Sequence, residues 1–154
     1  LNISIDEIPT GEYKSIRFGI GVPASINSRT PSQFAATSPL GDVGNYWTAW
    51  DSYIFSRVEG TLDTSRTSAS TLPYLYHGGA NSMYRERTIE REFSIVDGSS
   101  TSLLLTLQAR EIFYPTGGDA IDIRALNVSH SAAEGTPAFE VARRSLENIA
   151  NAIQ

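Results

Sequence analysis

The side chains best suited to chemistry are two histidines, His77 and His130, and two tryptophans, Trp47 and Trp50. The chain has no cysteine, so a thiolate zinc site, a cysteine nucleophile and a disulfide framework are all excluded. Imidazole is then the ligand type that suits copper or zinc. Two imidazoles alone do not make a site, and one or two further donors are needed from Asp, Glu, a backbone amide or a modified side chain. A lone histidine is more commonly a satisfied core or surface residue, and the simplest reading of Trp47 and Trp50 is as core anchors. Asp119/Asp122 and Asp6/Glu7 could in principle hold Ca²⁺ or act as acid and base, but acidic residues beside glycine turns are ordinarily solvated.

Other chemistries fail on spacing. Gly19-Ile20-Gly21-Val22-Pro23-Ala24 has the letters of a dinucleotide fingerprint, but Pro23 and the polar stretch after it offer no helix N-terminus for a pyrophosphate. No G-x-S-x-G elbow is present, and neither histidine has a telling neighbour for a Ser-His-Asp hydrolase. Seventeen acidic against twelve basic residues give a net charge of −5, which argues against a nucleic-acid partner. No apolar run approaches the roughly 18 residues of a membrane span. The 154 residues fit a single domain, with 40% hydrophobic residues to fill a core. The start at Leu1, with neither Met nor signal peptide, reads as a processed or truncated piece of something longer.

The elements that must position these residues are mostly strands. Ile16, Phe18, Ile20 and Val22 alternate within Glu12 to Val22, with Gly19 and Gly21 placed to let another backbone approach. Pro23 to Asn45 reads as a long surface excursion with one short helical turn near Ser32 to Ala36. Tyr46 to Glu59 reads as one strand buried on both faces and ended by Gly60. Thr61 to Leu72, with seven Ser/Thr, reads as a mobile hairpin loop before a short strand Tyr74 to His77, and Gly78-Gly79 forces a turn. Arg85 to Val96 alternates Arg and Glu so that opposite charges can pair across or along strands, although a solvated face is the simpler reading. Leu103 to Ala109 predicts a core strand that Ile121, Ile123 and Ala125 briefly continue. Thr136 as cap, Pro137 at the first helical position and Phe139, Ala142, Leu146, Ile149 and Ile153 at spacings of three and four predict a C-terminal amphipathic helix. The fold class is therefore mostly β, an antiparallel β-sandwich closed by that one helix.

Read in order, these stretches resemble the MbnP-like copper-binding family of secreted or periplasmic bacterial β-sandwich proteins. The matching pieces are the segment from Ile8 to Val22, the run from Tyr46 to Phe55 ending in Val58-Glu59-Gly60, then Tyr74 to Gly79, Val128 to Ser131 and Ile149 to Asn151. The resemblance implies copper as the cofactor and no enzymatic activity. It also implies a partner di-haem enzyme that oxidises a tryptophan to kynurenine, whose new aromatic amine holds the metal together with histidines. By position, Trp47 or Trp50 is the oxidisable residue and His77 and His130 are the imidazole ligands. Family members usually space the tryptophans W-x-W before a Gly-Tyr pair, whereas here they stand W-x-x-W with Ser52 at the Gly position.

Members also usually carry strands before the segment matching Ile3 to Tyr13, which this chain lacks, so the gap is expected to be filled by a further fragment of the same polypeptide or by a strand donated by a neighbouring subunit through self-association. The competing expectation is a structural or adhesive subunit of an extracellular assembly with the same fold and no working metal site. Its cues are the two-histidine count, the tryptophan spacing, the Ser/Thr-rich loop and the N-x-S sequons at Asn2 and Asn127.

Overall fold

A computed structural model describes residues 3–67 and 69–154, so the sequon at Asn2 lies outside the described residues. The chain is mostly β with one long helix at its C-terminal end, as the periodicities predict. Strand β1 (Gly11–Ile20) pairs antiparallel with β6 (Arg85–Ile95) in a two-stranded ribbon with a register shift between Tyr13 and Ser15. Tyr13 stacks on Phe93 across it, ring centroids 5.1 Å apart. β2 (Tyr46–Trp47) and β3 (Ser52–Tyr53) form a small hairpin. β4 (Ser56–Asp63), β5 (Thr71–Gly78) and β7 (Val128–His130) form a three-stranded sheet in which β5 and β7 run parallel.

The core lies between this sheet and the terminal helix α2 (Pro137–Ala152). Thr136 caps the helix by accepting from the Phe139 N–H at 3.3 Å, and Pro137 occupies the first helical position, where its missing N–H costs nothing. The 3.6-residue period then delivers Phe139, Ala142 and Leu146 to one face, where they pack on Met83 with Ile20, Phe55 and Ala80 alongside. Successive residues of a strand face opposite ways. Tyr76 and Ser129, paired in register, are fully buried, and the Ser129 hydroxyl donates to the Ala138 carbonyl of α2. Tyr76 donates to the Leu126 carbonyl at 2.6 Å, and burial pushes its phenol up to about 12.

Several expectations need correction. Tyr46 to Glu59 is not one strand: the chain folds back through a 3-10 turn at Thr48–Trp50 and a left-handed Asp51 at φ 50°. The Tyr46 hydroxyl donates to the Asp51 carboxylate across this turn, and that bond, before burial, raises the Tyr46 phenol to about 12. Gly60 lies inside β4 rather than ending a strand, and β5 runs longer at both ends than Tyr74 to His77. Leu103 to Ala109 forms no strand, because among the described residues its backbone pairs only briefly with the segment that ends α2: Thr106 and Gln154 exchange backbone hydrogen bonds of 2.8 and 2.9 Å, while Arg91 holds the Leu104 carbonyl and Leu104 itself stays 78% exposed. Ile121 is buried, but Ile123 and Ala125 lie in a turn. The close approaches to Gly19 and Gly21 come from the rings of Tyr84 and Phe55 rather than from a backbone. The helical turn expected at Ser32 to Ala36 is a 3-10 turn at Pro31–Gln33, and α1 (Ala24–Asn27) adds one α-helical turn after Pro23. Among the described residues no ion pair joins the Arg and Glu residues of β6 to β1. At the second sequon, the Asn127 amide donates to the Pro73 carbonyl at 2.8 Å and Ser129 is buried.

Candidate metal centre

Strand register alone brings the two histidines together. Arg57 pairs with His77 across β4 and β5, and His77 pairs with His130 across β5 and β7. With alternation, Glu59, Leu75 and Val128 fall on this same face, opposite the face that α2 covers. The His77 and His130 rings stand at 88° with centroids 5.1 Å apart. Residues 53 positions apart in the chain thus become neighbours through a parallel pairing that no local pattern announces.

The hairpin supplies the indoles. Trp47 meets His130 edge to face with centroids 3.8 Å apart, and Trp50 lies 5.0 Å from the same ring. The two indoles stack on one another at 5.3 Å. All four residues expected from the sequence therefore form one cluster, with Trp47 the nearer indole to His130. The W-x-x-W spacing is explained by the 3-10 turn, which carries Trp50 back over Trp47 within three residues.

Asn27, which no motif marked, and Gly79, expected only to force a turn, hold this hairpin in place. Asn27 is buried; its Nδ2 donates to Ser52 Oγ at 3.0 Å and to Asn81 Oδ1 at 2.9 Å, and its Oδ1 accepts from the Tyr53 N–H at 2.8 Å. Gly79 lies against the hairpin, where an added Cβ would strike the Tyr53 carbonyl and come within 3.4 Å of the Trp50 ring. Glycine is required there for close approach rather than for a turn. Arg57 donates to the Gly44 carbonyl and ties β4 to the segment leading into β2.

His77 is buried, with its Nε2 in short contact with a Glu59 carboxylate oxygen and its Nδ1 buried without a hydrogen-bond partner. His130 is exposed as a residue, yet desolvation of its ring holds its pKa below the usual imidazole value and the neighbouring His77 pushes the same way. Its neutral form, the one that carries a lone pair for a metal, is therefore favoured. Among the described residues there is no group of three or more His, Cys, Asp and Glu side chains placed to hold a metal ion. Of the Asp119/Asp122 pair, the Asp122 carboxylate accepts from the Arg124 N–H, and the backbone carbonyl of Asp119 accepts from Arg144. No helix of the described residues is long and apolar enough to cross a membrane.

No curated protein and no solved structure matches the chain significantly. The MbnP family model matches residues 1–132, a span that holds Trp47, Trp50, His77 and His130 and stops short of α2. With that match covering most of its length, the chain belongs to the MbnP family, a family associated with copper.

Proposed function

We propose that this chain is an extracytoplasmic copper-binding protein and not an enzyme, with His77 and His130 as imidazole ligands and Trp47 as the indole converted to a third donor. The single observation that carries this reading is the convergence of two imidazoles and two stacked indoles on one face of the β4-β5-β7 sheet. The residues fit the metal: His77 holds a buried nitrogen with no partner, and His130 favours its neutral form. Bound there, copper would supply a redox-active, borderline-soft ion suited to nitrogen donors. A third donor of a different kind is what a tryptophan-derived amine adds.

In that conversion a di-haem partner supplies the oxidising equivalents. Four electrons pass from the indole to the di-haem partner, the C2–C3 bond breaks, and two water molecules supply the two oxygen atoms taken up as four protons are released. Hydrolysis then releases C2 as formate and leaves a free aryl amine. Trp47 is favoured over Trp50 by its shorter distance to His130. Metal analysis and intact mass of natively produced protein test the reading: copper with the mass change of one kynurenine is expected, and neither copper nor a mass change on tryptophan overturns it.

A structural or adhesive role is favoured by a different observation. The β1-β6 ribbon has no further strand on either edge among the described residues, Val96 directly after β6 is exposed, and Ile3 and Ile5 in the segment leading to β1 are exposed as well. Unpaired edges invite a strand from another chain. Concentration-dependent association by size-exclusion chromatography, lost when proline replaces Ile16, supports that reading, and a well-folded monomer at all concentrations removes it.

A further inference from the structure

We propose that Glu59 is a positioning residue of this centre, fixing the His77 proton on Nε2 and so assigning Nδ1 as the atom His77 offers to a metal. The proposal rests on the copper reading but can fail independently of it. Glu59 and His77 sit diagonally on adjacent strands, since Glu59 pairs with Leu75 and Arg57 pairs with His77. Side chains on one face at this offset are within reach of each other. A Glu59 oxygen contacts His77 Nε2, and this is the ring's one hydrogen bond among the described residues.

An ionised carboxylate only accepts, so the proton of a neutral His77 must sit on Nε2. Nδ1 is then a bare lone pair. It is buried, and no hydroxyl, amide or backbone N–H reaches it. Buried polar atoms nearly always have a partner, and an orphaned one calls for a reason. Here the reason is at hand, because the His77 and His130 ring centroids lie 5.1 Å apart with the rings at 88°, and a cation shared between the two imidazoles would satisfy Nδ1. A carboxylate on the far nitrogen of a metal-binding imidazole fixes the tautomer, locks the ring orientation and strengthens the donor. Glu59 is half exposed while His77 is nearly enclosed, so the carboxylate holds the ring from the rim and leaves the buried nitrogen to the metal.

The rival assignment makes Glu59 itself a ligand, and two variants separate the two. In Glu59→Gln the amide oxygen still accepts from Nε2–H but no carboxylate remains. In Glu59→Ala both are gone. The measurement is ring ¹⁵N NMR of His77 at one fixed neutral pH, before and after adding Cu(I), with affinity read by competition against a chromophoric chelator. The wild type and Glu59→Gln are expected to show a protected Nε2–H in the metal-free protein and a Cu(I)-induced shift at Nδ1. Glu59→Ala is expected to lose the protected Nε2–H and to bind Cu(I) about 10- to 100-fold more weakly, while Glu59→Gln stays within about threefold of wild type. Copper on Nε2, an Nε2 without a proton in the wild type, or a Glu59→Gln variant as weak as Glu59→Ala would overturn the proposal. Wild-type protein that takes up no copper overturns the copper reading instead, and the metal-free Nε2–H resonance then decides the Glu59 contact alone.

Discussion

The β4-β5-β7 sheet and the β1-β6 ribbon are built from similar alternating sequences and end in different physical states. The sheet is covered on one face by α2, which seals Tyr76 and Ser129, and the tryptophan hairpin packs on the other face at its histidine end, against His130. The ribbon has two strands with exposed and half-buried residues in alternation; its apolar packing is at the Ile20 end, beside Phe55 and Met83, and farther along it is held by polar contacts, Arg91 donating to the Leu104 carbonyl and Thr101 to the Ser94 carbonyl. Alternation therefore specifies a face and not what will cover it. Rigidity sufficient to hold metal donors appears where a second element supplies the cover.

The largest effect that could break this contrast comes from the covering helix. Leu146→Ala should cost about 2–5 kcal/mol in denaturant unfolding, since Leu146 is fully buried against Met83. Ile89→Ala, in the ribbon, should cost no more than about 1 kcal/mol because its side chain is half-buried. Equal costs would mean that the ribbon is as tightly integrated as the sheet.

Asn27→Ala should cost about 1–3 kcal/mol by orphaning the Ser52, Tyr53 and Asn81 groups, with tryptophan fluorescence shifting to the red as the hairpin loosens. Thr136→Ala should cost about 1 kcal/mol through the lost helix cap, measured in the same unfolding experiment. The smallest effect at neutral pH is that of Tyr76. Its folded-state pKa of about 12 lies above the unfolded value near 10, so the folded protein keeps the proton longer. That contribution is complete below pH 10 and is lost as pH rises from 10 toward 12. Tyr76→Phe should flatten this alkaline decline in a pH series of unfolding curves.

Local chemistry made β1, β6 and α2 legible, because each has a long unbroken period and α2 has a cap and an N1 proline at the right places. The run from Tyr46 to Glu59 misled because an aromatic stretch fits a strand equally well whether or not the backbone reverses within it. The reversal depends on a left-handed Asp51 and on the distant Asn27. Leu103 to Ala109 has the alternation of a strand but no neighbouring strand to pair with, so periodicity again outran topology. The four-residue cluster was reachable through the ordered resemblance to a family and not through spacing, since the pairing of His77 with His130 is long-range. Glu59 stood in plain view in Val58-Glu59-Gly60, but its role appears only when β4 and β5 are placed in register.

Whether copper sits between the two imidazoles is decided by copper stoichiometry under chelator competition, comparing wild-type protein with the His77→Ala/His130→Ala double variant. One copper per chain is expected in the wild type and none above background in the double variant, with both proteins folded by circular dichroism. Equal copper in the two proteins would contradict it, because the metal would then be held somewhere other than between these imidazoles.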